Sequence, residues 1–395
     1  MKKQTRGTGT VRQRKNGSWE GMYYVNGKRK SIYAKTQEEV RIKLNKIYAE
    51  ILEGTHIEEK GTTLGMWLLE WLDVYAQPTI RESTYESYEL YVRKHINPTI
   101  GECRLKSLKN NILQKFFNEK LENGRLDKKG GLSVKTVSNM KNMLHEALEQ
   151  AIINELIVKN PLKGVRLPKQ KKREMRVLDL AEQEALVEKV MRSEEVVAQG
   201  IILALDSGMR IGEVLGLQWS KINFNNNSYV ISKSLARRKK NSRGFKNGTV
   251  IDIGSDPNCK TALVLGDTKT GNKETEYMTE RFRNALLKLK KYNDDLKRIM
   301  GKSFNKYDFV IFNERGNPIE PRTYEDIFDR YAEKAGIENA SFHSLRHTFA
   351  TRIIEKGCDA KTLSKLMRHA QPSTSMNMYV HTFERTKQNA ISLLN

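Results

Sequence analysis

Between Pro161 and Arg176 the chain carries Lys163, Arg166, Lys169, Lys171, Lys172, Arg173 and Arg176, with Pro161 and Pro168 and a single acid, Glu174. Prolines remove backbone donors and like charges repel, so this stretch is expected to run extended until something anionic neutralises it. It therefore separates an N-terminal from a C-terminal part, and 395 residues leave room for two or three domains. The same charge sign runs through the whole chain. Its 70 Lys and Arg against 47 Asp and Glu give a formal charge of +23, enough to hold a polyanion without naming it.

Residues 1–35 hold ten Lys or Arg and one acid, Glu20. Thr10 to Arg14, Ser18 to Val25 and Lys30 to Tyr33 read as short strands, joined by the turn sequences Lys15-Asn16-Gly17 and Asn26-Gly27. A helix is expected next, because Thr36 and Glu39 form a capping box and Val40, Leu44, Ile47 and Ile51 form an apolar stripe. Residues 1–60 are thus expected to be a small basic sheet backed by one helix. Arg12, Arg14, Lys28 and Arg29 are its candidate DNA contacts, since basic strands can lie in a major groove.

Residues 62–166 read as helical. Thr62-Thr63 opens a helix with Leu64, Trp67, Leu68, Trp71, Leu72 and Tyr75, and Ser83-Thr84 opens another with Tyr85, Tyr88, Leu90 and Tyr91. Two more are expected over 110–122 and 133–155, with the aromatics as core rather than base-stacking platforms. The linker proper, 167–176, contributes Lys171, Lys172 and Arg173 as candidate phosphate contacts.

The C-terminal part, 177–395, is expected to mix helices with strands at Tyr229-Val230-Ile231, Val250 to Ile253, Ala262 to Leu265 and Glu276 to Met278. Between Lys221 and Val250 there is no acid, and the basic residues there, Arg237 and Arg238 among them, suggest a DNA-contacting loop. Five short strings carry the chemistry: Gly208-Met209-Arg210-Ile211-Gly212-Glu213, Thr268-Lys269-Thr270-Gly271, His343-Ser344-Leu345-Arg346-His347, Leu366-Met367-Arg368-His369 and Tyr379-Val380-His381. A phenol attacking a phosphodiester builds charge on the non-bridging oxygens, and guanidinium groups such as those of Arg210 and Arg346 can bind that charge bidentately. Lys269 has a proton to give to a leaving oxygen. Tyr379 needs a base or a cationic pocket to become a nucleophile, and His343 is the candidate base. Glu213, three residues after Arg210, is expected to orient that arginine or a nearby backbone group.

Taken singly, these residues have plainer readings: a helix-end arginine, a surface His–Arg pair, a packed tyrosine. The i, i+4 pair His343 and His347 has the spacing of a zinc-binding helix, but Ser344 stands where the metalloprotease motif has glutamate and no third ligand is evident. The conjunction of the five strings, in this order within one domain-sized segment, resembles the tyrosine recombinases, in particular the integrases of temperate phages and conjugative transposons. The resemblance has departures, since Met367-Arg368-His369 stands where Leu-Gly-His is common and the step from His369 to Tyr379 is ten residues rather than nine.

The resemblance implies a multidomain, mainly α fold with small β-sheets: an arm-type DNA-binding domain, a helical core-binding domain and an α+β catalytic domain. It implies a site-specific recombinase that cleaves and rejoins DNA through a 3′-phosphotyrosine, with Arg210, Lys269, His343, Arg346, His369 and Tyr379 as its catalytic set. His369 would bond a phosphate oxygen. Double-stranded DNA with core and arm-type sites is the implied partner, bound by a tetramer that is monomeric without DNA, with an accessory bending or excision factor, and with a helix from Phe383 to Leu394 docking on a neighbouring protomer. A type IB topoisomerase would need much the same residues, and a non-enzymatic DNA-binding regulator only the charge.

Transesterification conserves the energy of the broken bond, so no ATP, metal or other cofactor is expected, in keeping with a sequence that has no P-loop or carboxylate cluster. Cys103, Cys259 and Cys358 lie far apart, which fits a reduced cytosol. The basic N-terminus has no apolar run and no segment is apolar enough to span a bilayer, so a cytoplasmic protein on nucleoid DNA, without a membrane, is expected.

Overall fold

The computed structural model describes residues 10–25, 27–52, 61–170, 175–239, 248–251, 259–268, 274–301 and 303–368. The chain divides into two units, Met1–Lys171 and Lys172–Asn395.

In the first unit, β1 (Thr10–Gln13), β2 (Trp19–Val25) and β3 (Lys28–Ala34) form an antiparallel sheet in that order. Asn16 accepts from the Ser18 amide at 3.2 Å to close the first turn. The helix α1 (Gln37–Leu52) packs on one face of the sheet at Gly21, where a Cβ would stand 2.5 Å from Val40 and 2.9 Å from Leu44. A side chain there would push the helix off. The cap of α1 is shared differently from the expected box: Thr36 accepts from the Glu39 amide at 3.3 Å, but Glu39 reaches back to the Lys35 amide at 3.2 Å.

The helical part of the first unit runs through α2 (Leu64–Trp71), α3 (Gln77–Thr79), α4 (Glu82–Leu90), α5 (Asn97–Ile100), α6 (Asn110–Asn123) and α7 (Val134–Ile153). Thr63 caps α2 and Ser133 caps α7 through their hydroxyls. The helix at Ser83-Thr84 starts earlier than expected, at Glu82. Two segments widen into π-helix, Leu72–Ala76 and Tyr91–Ile96, each just before a proline-bearing turn. There the Gln77 amide bonds the Leu72 carbonyl and the Asn97 amide the Val92 carbonyl, five residues back, which leaves room for the rings of Pro78 and Pro98. The aromatics are core, as their pattern implies: Trp67 and Phe117 are fully buried with Leu113, Met140 and Leu144, and the Trp67 indole donates to the Ala147 carbonyl at 2.8 Å.

The charged stretch after Pro161 is not extended from its start. Leu162 and Val165 are buried in the helical core, while Asn110 donates to the Lys163 carbonyl at 2.8 Å, Gln114 to that of Arg166 at 2.9 Å and Lys141 to that of Val165 at 2.6 Å. The few apolar side chains between the charges outweigh the repulsion, because Leu162 and Val165 pack while Lys163, Arg166 and Lys169 stay exposed.

The second unit contains α8 (Leu180–Met191), α9 (Gln199–Ser207), α10 (Ile211–Leu215), α11 (Glu280–Met300), α12 (Pro321–Lys334), α13 (Phe342–Glu355) and α14 (Ala360–Leu366). Its strands form two antiparallel sheets. β4 (Ile222–Asn223), β5 (Ser228–Ile231) and β9 (Glu274–Tyr277) pair in the order β4-β5-β9; β6 (Lys233–Lys239), β7 (Thr249–Ile251) and β8 (Thr261–Asp267) pair as β6-β8-β7. The basic loop expected between Lys221 and Val250 is therefore a strand over its middle, with Leu235 opposite Leu265 and Arg237 opposite Leu263. Leu235 is buried between the half-buried Ser234 and Ala236, and Arg237 and Arg238 are half-buried too, so the segment sits as a partly covered strand whose apolar share the charge density hides in the sequence. At the centre lies α9, apolar almost all round, which packs against α8, α11 and α13.

Candidate active site

The site grows from the turn that ends α9. Gly208 takes φ +62° and sends its amide to the Ala204 carbonyl at 3.0 Å, while the Ser207 hydroxyl accepts from the Met209 amide at 3.2 Å. Asp206, just before, accepts from the Thr279 hydroxyl at 2.6 Å and from Arg281, which fixes the end of α9 to the start of α11. Arg210 then stands at the N-cap of α10. Glu213 holds it twice: one carboxylate oxygen accepts from the Arg210 amide at 3.0 Å, the other from its Nη1 at 2.7 Å. Glu213 thus does both tasks the sequence suggested for it.

Arg346 comes from the second turn of α13, which Ser341 and Ser344 start with a reciprocal cap; the Ser341 amide donates to the Ser344 hydroxyl at 3.0 Å. Ser344 therefore serves the helix start. Arg346 is 2% exposed, and its two terminal nitrogens donate to the carbonyls of Gly208 and Met367. One side chain so joins the α9 turn to the end of α14. Burial, then the charges of Arg210 and Arg368, push its pKa down to about 9, with Glu213 opposing them, and it stays cationic at neutral pH.

His343, one turn before Arg346, is exposed on one side. Desolvation by the protein around it, then the charges of Arg346 and Arg210, hold its pKa below the ordinary histidine value, so the imidazole is neutral at pH 7. Its ring stands edge-on to that of His347, with centroids 4.6 Å apart. His347 is pushed down to about 4 by burial first and then by His343 and Arg346, and its Nδ1 is buried without a hydrogen-bond partner. No group of three or more His, Cys, Asp or Glu placed to hold a metal occurs among the described residues.

The sequence offers Arg368 as a third possible phosphate contact, without placing it; the structure turns it instead toward two acids. It is buried at 5% exposure, with Nη2 3.4 Å from Glu213 and Nη1 3.2 Å from Glu276 on β9. For Glu213, burial would raise the pKa, but Arg368 and then Arg210 overcome this and hold the carboxylate below its usual value. The role of Glu276 has no signal in the sequence, because its partner lies 92 residues away.

Of the catalytic candidates, Arg210, His343 and Arg346 come together here, and Lys269, His369 and Tyr379 lie outside the described residues, as does the segment Phe383 to Leu394. Thr268, next to Lys269, is buried with its hydroxyl unpartnered. Among the candidate DNA contacts, Arg12, Arg14 and Arg29 are exposed; Arg12 pairs with Glu20 at 2.7 Å, and Arg14 sits over the Tyr33 ring at 5.1 Å. Lys28 pairs in register with Val25, its side chain outside the described set. Arg237 is committed to Glu320, donating from Nε at 2.9 Å, and to the Thr261 hydroxyl at 2.8 Å. Arg238 is half-buried in the same strand, and Lys171, Lys172 and Arg173 lie outside the described residues.

Comparison with known proteins adds an independent line. The model of the phage integrase family matches residues 176–385, and that of the phage integrase N-terminal SAM-like domain matches 63–121. The chain is 25% identical over 384 residues to a tyrosine recombinase XerC-like protein of Caldanaerobacter subterraneus subsp. tengcongensis, covering 94% of this chain and 93% of the other. It is 24% identical over 372 residues to the transposase from transposon Tn916 of Enterococcus faecalis, covering 87% and 80%. Among solved structures, the Tn1549 transposon integrase in complex with a circular intermediate DNA superposes with a TM-score of 0.65 at 21% identity, covering 84% of this chain and 99% of that one. A lambda integrase tetramer bound to a Holliday junction gives 0.56 at 18% identity, covering 95% and 96%.

Proposed function

Because this chain belongs to the phage integrase family and is a site-specific DNA recombinase, we propose that Arg210 and Arg346 clamp the scissile phosphate while Tyr379 attacks it. The phenol oxygen of Tyr379 bonds to phosphorus, the bond to the 5′ oxygen breaks, and a 3′-phosphotyrosine remains. His343 takes the phenol proton and Lys269 gives one to the leaving oxygen. His369 bonds a non-bridging oxygen. The 5′-hydroxyl of the partner strand then reverses the step, with no net change in the number of phosphodiester bonds.

The observation that carries this reading is two arginines held beside one turn, Arg210 steadied by Glu213 and Arg346 by two backbone carbonyls, one of them that of Gly208. Fixed donors that need no reorganisation are what a developing phosphorane requires. The neutral imidazole of His343 beside them supports the base assignment. Exchange would take place in a tetramer bridging two duplexes, with residues 1–60 reading a separate arm-type site and an accessory bending or excision factor setting direction.

The test is Tyr379→Phe, which removes the nucleophilic oxygen and little else. Covalent attachment to nicked suicide DNA should vanish while binding stays near normal. A denaturation-resistant complex formed at the usual rate would overturn the assignment.

A further inference from the structure

Arg368 follows α14 with φ +49°, a left-handed backbone that glycine adopts freely and a long side chain does not. Its guanidinium is also taken out of water, and its Nε is buried without a hydrogen-bond partner. An arginine at such a position must return something that a turn residue would not. Its two terminal nitrogens reach two acids on different elements: Glu213, which also holds the amide and side chain of Arg210, and Glu276 on β9, the strand that follows Lys269 in the chain. The preceding carbonyl, that of Met367, accepts from Arg346.

We propose that Arg368 is a positioning residue for DNA cleavage, which acts through Glu213 on Arg210 and ties β9 to the same carboxylate. Two cations then share Glu213, so both oxygens of its carboxylate are held and Arg210 is left with one orientation. The chain that leads into His369 is fixed by the same contact. This inference rests on the reading of Arg210 as a phosphate clamp.

The test compares R368G, R368K, R210K and the double variant R210K/R368G in single-turnover cleavage with DNA saturated by protein. Glycine relieves the backbone, so a mere turn position would keep full activity in R368G. We expect R368G instead to lose about tenfold to a hundredfold in cleavage, the scale of a misplaced catalytic group, with DNA binding little changed. R368K, which keeps the charge but cannot reach both acids, should recover part of that loss. In the R210K background R368G should add almost nothing, because the two changes act on one group.

Normal cleavage by R210K would overturn the clamp and with it this inference. Impaired R210K with normal R368G would overturn the inference alone, as would an equal loss from R368G in both backgrounds. Should R368G fail to fold, R368M/E276Q removes both buried charges together and takes away the second cation of Glu213. Full cleavage by a folded R368M/E276Q would count against the proposal in the same way.

Discussion

Arg346 is held by two carbonyls and almost closed to solvent, so what it can do depends on the planar fork of its guanidinium more than on its charge. Lysine cannot reproduce that fork. Arg346→Lys and Arg210→Lys should each lower single-turnover cleavage by roughly a hundredfold to a thousandfold, the scale for removing one preorganised donor; unchanged rates in both would remove the phosphate clamp. His343 gives a sign that can be checked against pH. Its pKa is lowered in the folded protein, so the base form predominates at pH 7 and is lost on acidification through that lowered value. Cleavage should therefore be level from pH 7 upward and fall only below the ordinary histidine value of about 6.5. A rate already falling between pH 8 and 7 would assign the base elsewhere. Residues of this kind were legible in the sequence because phosphate chemistry restricts them to a few types. Glu276 and Arg368 were not, since a buried ion pair between a strand and a helix end leaves no spacing to read.

Single elements carry the next constraints. In α13, His347 titrates near 4 when folded against about 6.5 when unfolded, so between these values the unfolded chain binds more protons. Its contribution to stability is present above about pH 6.5 and is lost as pH falls toward 4. Urea midpoints of the unaltered protein should drop over that window, and His347→Gln should flatten the drop; an unchanged slope would show that the ring is not the titrating group. The turn after α9 is as demanding. A Cβ on Gly208 would stand 2.6 Å from Phe349, and its φ of +62° strains any L side chain. Gly208→Ala should destabilise by about 1–3 kcal/mol and also slow cleavage, because its carbonyl holds Arg346; full stability in urea would contradict this. Helices with capping residues and apolar stripes, such as α1, α2 and α7, could be read from the chain. The widened turns before Pro78 and Pro98 could not, because only the packed helix decides whether a proline ends it or stretches it. In β6 local charge hid a strand that pairing with β8 makes.

The whole chain is a basic molecule built in two units, with Arg210 and Arg346 in the second. Its N-terminal sheet has its own turns and helix, and a fragment beginning at Thr62 should still cleave a core site, while residues 1–60 alone should protect a different sequence nearby. Both fragments should lose affinity steeply with salt, as each releases counterions from phosphate. Footprinting checks this: if the Thr62 fragment reproduced the full protection, the N-terminal sheet would read no site of its own. The same order of parts has a consequence for how the protein is made. The side chain of Arg346 bridges a carbonyl at Gly208 and one at Met367, and a ribosome lays down the first long before the second. A nascent chain interrupted between Arg346 and Met367 carries both arginines yet closes only half of that bridge. Tyr379, the proposed nucleophile, has not yet been translated either, so an unfinished copy would hold DNA without the means to cut.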